Sequence, residues 1–357
     1  MQKGMSLIEL AQEIERVEAA KEDYVVPTSK MEMADSGQLT MAEGEDKDKL
    51  LGINNLAHEQ IAERLKIPAP YYKRMLADEP ALLAKNVNTW LHKKPERRLV
   101  RVLDGRVRAF LSDRFSPREN YSIAMEVLPV LKNTGGLEIQ AASITERRMY
   151  VKVTSKDLVA PITVTRNGQQ VGDVLYGGIN VSNSEVGVGA ADISLFIVVL
   201  SCTNGMTREH SLREIHVGRR LEGEAEQISF YSRETIEADQ IAFRMKVRDS
   251  LKHAFNKELF LEEVTRYQEV AGRHFIASKV PDIVERVTKR FTNLGKNDGK
   301  SLMDALYGVG DFSQWGLSQA ITSLANGVED FDRINELERL GGQIIDLKPD
   351  EFSTLAA

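Results

Sequence analysis

Two dipeptides constrain this chain more than any other feature. Asp104-Gly105 and Asn167-Gly168 each stand between alternating strand patterns, the strongest short-range sign of a tight β-hairpin. Arg98 to Leu103 and Arg106 to Leu111 flank the first, and Ile162 to Arg166 and Gln169 to Tyr176 flank the second. Pairing Leu103 with Arg106 sets Val102 opposite Val107, Arg101 opposite Arg108, Val100 opposite Ala109 and Leu99 opposite Phe110. Because side chains alternate between faces, Val100, Val102, Val107 and Ala109 share one face. Arg101, Arg106 and Arg108 share the other with Leu99, Leu103 and Phe110. Like charges directly opposite one another repel, so this register calls for an anion between Arg101 and Arg108.

A third strand, Arg147 to Val153, repeats the chemistry, with Arg148, Tyr150 and Lys152 on one face. Cations on either side of an aromatic ring suit a single-stranded nucleic acid, since the cations follow phosphates and the ring stacks a base without reading it. On this reading Arg97, Arg98, Arg101, Arg106, Arg108, Arg148 and Lys152 hold phosphates, while Phe110 and Tyr150 stack bases. The same pattern also fits a half-solvated sheet with Lys and Arg on its wet face.

The net charge of −6 argues against a polyanion partner, but its distribution does not. Residues 91 to 170 hold fifteen Lys and Arg against eight Asp and Glu, a net of +7, which leaves −13 for the remainder. Residues 1 to 60 carry −7. A basic working surface with acidic flanks follows, and field shape rather than the total steers a polyanion. With one cysteine, Cys202, the chain builds no intrachain disulfide framework and no Cys-rich zinc site. No apolar run approaches a membrane span and the N-terminus lacks a signal segment, so the expected location is the cytoplasm, that of the host if the chain is phage-encoded.

Ser6 to Lys21 has helical spacing, whereas Tyr24 to Lys49, ending in the charged run Glu43 to Lys49, reads as a loop or linker. Asn54 or Asn55 caps a helix to Lys66, which stands where Gly would ease the turn. Pro70 suits the first turn of a helix from Tyr71 to Ala77, and Pro80 to Trp90 forms another. The first two resemble a helix-turn-helix with Tyr71, Lys73 and Arg74 exposed, although a plain helical hairpin is the commoner meaning of the pattern. Lys93, Lys94, Arg97 and Arg98 then lead into the hairpin. Glu119 to Lys132 is a helix crossing the sheet, with a bend possible at Pro129. Strands follow at Leu137 to Ser143, Ile179 to Ser182 and Ala191 to Thr203. Thr207 to Gly218 reads as a solvated helix, and from Ser232 onward the chain is helical with turns at glycines that include Gly341-Gly342. The expected fold is α+β: a mainly antiparallel, curved β-sheet with a crossing helix, flanked by an N-terminal helical segment and a helical C-terminal region. Three parts follow: an acidic helix and linker (1–50), an α+β core with the basic sheet (51–220) and a helical region (221–357).

His58, Ile67-Pro68, Tyr71, Asn88, Trp90 and Arg108 to Phe115 resemble, in order, a family of uncharacterised proteins carried by phages and plasmids, domain of unknown function 932. Gly172-Asp173, Asn183 to Gly187 and Cys202 to Met206 fit the same order, and Trp315 to Thr322 is similar to the helical tail of some members. The resemblance spans roughly residues 55 to 220. It implies a mobile-element context and brings no catalytic residues.

Other constellations are weaker. Asn183-Ser184-Glu185 with Gly187 and Gly189 could arrange backbone N–H groups around a phosphate, but a glycine-eased turn is the commoner meaning. Cys202 with His210 and His216 offers a nucleophile and base, yet the apolar strand before Cys202 points to a buried, inert thiol. No metal motif and no cofactor fingerprint is present. The leading expectation is therefore a nucleic-acid-binding protein, DNA more than RNA, that anneals or protects single strands as a homo-oligomer, with no covalent chemistry. The alternative is a structural or host-modulating factor whose basic sheet meets an acidic protein. A third is a metal-dependent enzyme acting on nucleic acid through a carboxylate such as Glu185 or Asp192.

Overall fold

The structure is a computed structural model that describes residues 4–42, 49–115, 117–199, 204–214 and 233–357. It is α+β, with mainly antiparallel sheet, and holds two main sheets where one was expected.

Helix α1 (Leu7–Ala20) starts at a reciprocal cap: the Ser6 hydroxyl accepts from the Glu9 N–H, and the Glu9 carboxylate accepts from the Ser6 N–H. It buries Leu10, Ile14 and Val17, and the chain passes directly into β1 (Lys21–Pro27). A small hairpin follows, β2 (Met31–Met33) and β3 (Leu39–Met41), with Met31, Met33, Leu39 and Met41 all buried. The segment read as a linker is thus structured up to residue 42. Its apolar residues are few, but they stand two apart, which suits strands too short to register in a longer window. The acidic run 43–48 lies outside the described residues.

After β4 (Gly52–Ile53) come α2 (Asn55–Arg64), α3 (Ala69–Asp78), α4 (Pro80–Lys93), β5 (Arg97–Leu103) and β6 (Arg106–Ser112). The first sheet has the order β1-β5-β6-β4, with β4 parallel to β6 and the other pairs antiparallel. The helices cover it, burying Ile61, Tyr72, Leu83 and Val87 against Val26, Val100 and Val107.

Helix α5 (Asn120–Asn133) leads to the second sheet. It continues past Pro129, whose missing N–H would have bonded the carbonyl of Met125, an exposed residue. The sheet is a meander of β7 (Leu137–Ile144), β8 (Met149–Arg166), β9 (Gln169–Asn183), β10 (Ala191–Val199) and β11 (Asn204–Glu214), in the order β11-β10-β9-β8-β7. Asn167 and Gly168 take positive φ (50° and 78°) at the tip of the long β8–β9 hairpin, as their dipeptide demands. Arg147 to Val153 therefore lies in a different sheet from the Asp104-Gly105 hairpin. One sheet cannot form because β1 and β4 already occupy the outer edges of β5 and β6. The expected helix over Thr207 to Gly218 is instead β11 as far as Glu214. Residues 215–232, like Cys202, lie outside the described residues.

The C-terminal part comprises α6 (Arg233–Ala254), α7 (Lys257–Ala271), α8 (Val280–Arg290), α9 (Lys296–Val309), α10 (Gln314–Ser323), α11 (Phe331–Asp346) and α12 (Pro349–Ala356). Helix α11 continues through Gly341-Gly342, where a turn was expected. A Cβ on Gly341 would stand 2.4 Å from Thr322 Cγ2, so the glycine lets α11 lie close against α10. The second sheet is unlike on its two faces. Met149, Val151, Val153, Ile179 and Val181 pack with α1, α5 and α6 in an apolar core, whereas Tyr150, Lys152, Asn180, Ser182 and Ser194 are buried on the other face, towards α11.

Candidate nucleic-acid interface

Asp104 and Gly105 take positive φ (51° and 70°), and Leu103 pairs with Arg106 and Val102 with Val107, as the sequence dictates. The register then shifts. Arg101 stands opposite Ala109, Val100 opposite Phe110 and Leu99 opposite Leu111, which leaves Arg108 as the extra residue of a bulge. Arg101 and Arg108 are therefore not a cross-strand pair. Arg101 is fully buried: Nε donates to Asp23 Oδ1 (2.9 Å), Nη1 to the Glu185 carbonyl (2.7 Å) and Nη2 to Glu119 Oε1 (2.7 Å). Arg108 Nη1 donates to Glu185 Oε2 at 2.9 Å. The anion that the two arginines require is supplied by the protein itself. Burial and the neighbouring Glu119 push the Glu185 carboxyl above the ordinary carboxylate range. Burial pushes Glu119 the same way, but Arg101 and Lys21 outweigh it and hold it below that range.

The third strand is committed in the same manner. Arg148 Nη1 donates to the Val188 carbonyl (2.6 Å), and Nη2 to Ser182 Oγ (2.9 Å) and the Ala190 carbonyl (2.6 Å). The Gly187 and Gly189 loop thus turns carbonyl oxygens towards a cation instead of N–H groups towards a phosphate. Gly189, at φ +92°, has no room for a Cβ, which would stand 2.3 Å from Arg148 Nη1. The Tyr150 hydroxyl donates to Asp332 Oδ1 (2.8 Å), and Lys152 forms a buried ion pair with Glu338. Phe110 is buried, Arg98 is buried against Glu96, and Arg97 and Arg106 are exposed. The basic face expected of the sheet is therefore not a solvent-facing stripe. Alternation shows which residues share a face, but long-range packing by Asp23, Glu119, Glu185 and α11 decides that most of these are covered.

Basic and aromatic groups do converge beside the first sheet. A groove of about 970 Å³ runs between the end of α2, the start of α3, the end of α4 and the start of β5. Its lining includes Arg64, Lys66, Lys93, Lys94 and Arg98, with Tyr71, Trp90 and the edge of Phe110. Local sequence rules place each group. The Lys66 N–H donates to the Glu63 carbonyl and the Ile67 N–H to the Ala62 carbonyl, a paired helix-end motif in which Lys66 takes φ +56°. Pro70 in the first turn of α3 then directs Tyr71 outward while Tyr72 is buried. On α4, Leu83, Val87 and Leu91 face the core, so Asn86, Trp90 and Lys93, spaced four and three apart, share the opposite face. Trp90 Nε1 donates to Asn86 Oδ1 (3.0 Å) and the Lys93 ammonium lies 4.8 Å from the Trp90 ring centre. Trp90 is 44% and Tyr71 40% exposed, so both rings have free surface.

The groove is short of negative charge. Glu96 carries both Arg64 and Arg98, and the buried Arg98 Nε has no acceptor. Burial, followed by the charge of Arg64, lowers the Arg98 guanidinium below its ordinary value against the pull of Glu96 and Asp113. Of the residues assigned to nucleic-acid binding on the sheet, Arg98 and Phe110 line this groove, and so does Tyr71 of the helix-turn-helix reading. Trp90, Lys66, Arg64, Lys93 and Lys94 were outside that set, although the polar face Asn86, Trp90, Lys93 of an otherwise apolar helix could have found two of the five.

Elsewhere among the described residues, no group of three His, Cys, Asp or Glu side chains is arranged to hold a metal ion, and no helix is long and apolar enough to cross a membrane. His216 lies outside the described residues with Cys202. No protein-family model matches the chain, and neither a curated protein nor a solved structure matches it.

Proposed function

We propose that this chain binds single-stranded nucleic acid non-covalently in the groove between α2, α3, α4 and β5. The observation that carries this reading is the convergence of five cationic side chains with two exposed rings around a single carboxylate. Cations along such a groove follow a phosphate backbone, and each ring can stack a base of any sequence for about 1–3 kcal/mol. A duplex keeps its bases stacked inside and offers neither Trp90 nor Tyr71 a partner. A phosphate beside Arg98 would satisfy the orphaned Nε and relieve the crowding of Arg64 and Arg98 on Glu96. A groove of this kind suits strand protection or annealing, in which copies of the chain align their grooves along one strand.

The test is fluorescence anisotropy with a labelled single-stranded oligodeoxynucleotide and its duplex across a salt series. Wild type binds the single strand, with affinity falling as salt rises, because bound cations release counterions. Trp90→Ala weakens binding by about tenfold or more, the equivalent of one lost stack. Lys93→Ala with Lys94→Ala flattens the salt dependence, and Lys289→Ala, on α8 outside the groove, changes neither. Absence of binding at low salt, or a Trp90→Ala protein that binds as wild type does, would overturn the proposal.

A further inference from the structure

The Trp90 ring has a neighbour that fixes what a base stacked on it would meet. Its Nε1–H donates to Asn86 Oδ1 at 3.0 Å. An indole N–H only donates, so the amide atom facing it must be the oxygen, and the Asn86 amide has one orientation. The Nδ2 group then points away from the indole nitrogen. It has no protein partner among the described residues, and Asn86 is part-exposed on the groove wall. Beside the stacking ring, therefore, stands a group that donates hydrogen bonds and accepts none.

The order of groups along α4 decides which edge of a base this donor reads. Asn86, Trp90 and then Lys93 with Lys94 follow one another at about one helical turn, or about 6 Å, along the axis. Arg64 and Arg98 join the two lysines at the C-terminal end of the helix, since both pair with Glu96 just beyond it. A sugar-phosphate backbone held at that end leaves the base on Trp90 pointing its far edge at Asn86. This edge lies opposite the glycosidic bond. It carries a keto oxygen in thymine, uracil and guanine, and an amino group in cytosine and adenine.

A keto oxygen accepts from Nδ2, whereas an amino group sets donor against donor and leaves both unpaired. We propose that the groove prefers single strands rich in keto bases, thymine and uracil above cytosine, and that Asn86 is the residue that discriminates. The preference belongs to the groove as a single-strand site and so rests on that reading. The other polar side chains of the lining do not oppose it. Arg64, Lys66, Lys93, Lys94 and Arg98 only donate, and Glu96 is taken by Arg64 and Arg98. The Thr28 hydroxyl donates to the Leu91 carbonyl and accepts from the Glu96 N–H. The Tyr71 hydroxyl serves either sense and favours neither base.

Fluorescence anisotropy of the full chain with oligo(dU), oligo(dT) and oligo(dC) of equal length tests the assignment, at mildly alkaline pH where cytosine carries no extra proton. Uracil and cytosine have the same ring and differ only along the far edge, so their affinity ratio isolates it. Wild type binds oligo(dU) and oligo(dT) about fivefold more tightly than oligo(dC), the effect of one hydrogen bond made or missed. Asn86→Leu brings the ratio to one. Asn86→Asp, whose carboxylate accepts from an amino group, turns the preference towards oligo(dC), and it decides the matter if Asn86→Leu fails to fold. Equal binding of oligo(dU) and oligo(dC) by wild type, or a preference that survives Asn86→Leu, overturns the proposal while single-strand binding itself stands. Tight oligo(dT) with oligo(dU) and oligo(dC) alike also overturns it, because the thymine methyl group is then the source. Binding of none of the three overturns the single-strand reading of the groove and this preference with it.

Discussion

Lys66 occupies a backbone conformation that suits glycine. A non-glycine residue in the left-handed region costs about 1 kcal/mol, and such strain collects where a side chain is needed for something other than folding. The groove supplies that need, since Lys66 is exposed there among other cations. Lys66→Gly is therefore expected to raise the unfolding free energy in urea by about 1 kcal/mol. It should also weaken single-strand binding and reduce the salt slope by about 0.7, the share of one phosphate contact. Arg101 is the opposite case. Replacing it with Ala removes the cation shared by Asp23 and Glu119 and leaves the Glu185 carbonyl without its donor, and breaking a buried ion cluster costs about 3–5 kcal/mol. A lowered urea midpoint in Arg101→Ala checks this, and any binding lost with it reports unfolding and not a missing phosphate contact. Alternation along β5 made Arg101 legible as a residue that needs an anion. Nothing local could reveal that the anions arrive from residues 23, 119 and 185.

At the scale of elements, turn and cap chemistry was the most readable part of the chain. Asp104-Gly105, Asn167-Gly168 and the Asn54 cap, whose Oδ1 accepts from the Ala57 N–H at 2.8 Å, all act locally and all form. What failed was pairing that depends on distant partners. The bulge at Arg108 and the β1–β5 ladder have no signal within their own windows, and Gly341-Gly342 resembles a turn because close helix packing and chain reversal both favour glycine. Helix α11 is held to β8 by the Lys152–Glu338 pair, which is almost completely buried, with the ammonium 5.5 Å from the Phe196 ring centre. Removing one member leaves an uncompensated charge, while replacing both with apolar residues need not. Lys152→Met alone should destabilise by about 3–5 kcal/mol, and Lys152→Met with Glu338→Leu should recover most of the loss in the same denaturation series.

Across the whole molecule, the two sheets are joined through charge. Arg101 and Arg108 on the first meet Glu185, after the end of β9, and Glu119, before α5. The acid sensitivity of the fold also has a separate source in His58. Burial lowers its imidazole from 6.5 to about 4, and its Nδ1 lies 2.9 Å from the Tyr72 hydroxyl. Between these values the unfolded chain binds a proton that the folded chain refuses, so stability is fully present above pH 6.5 and is lost as pH falls towards 4. The ring keeps some solvent, which limits the effect to about 1–2 kcal/mol. His58→Gln should lose less stability than wild type between pH 7 and pH 4.5, measured by urea unfolding at each pH, with the carboxylates common to both proteins. The division of the chain into an N-terminal linker and a separate core does not describe this architecture, because β1 lies in the same sheet as β5.

That pairing also sets a clock. During synthesis β1 leaves the ribosome long before its partner, since Lys21 waits for Leu103, and the guanidinium of Arg101 waits further for Glu119 and then Glu185. Contacts so far apart in sequence form slowly and keep a strand edge open in the meantime. The ladder of the first sheet can close once β6 has emerged, but its buried Arg101 is not fully satisfied by that unit alone. The nascent chain carries β1 unpaired until β5 emerges, and a buried guanidinium short of its last acceptor, the Glu185 carbonyl, until the β9–β10 loop emerges, which makes that interval the one in which a chaperone has most to protect.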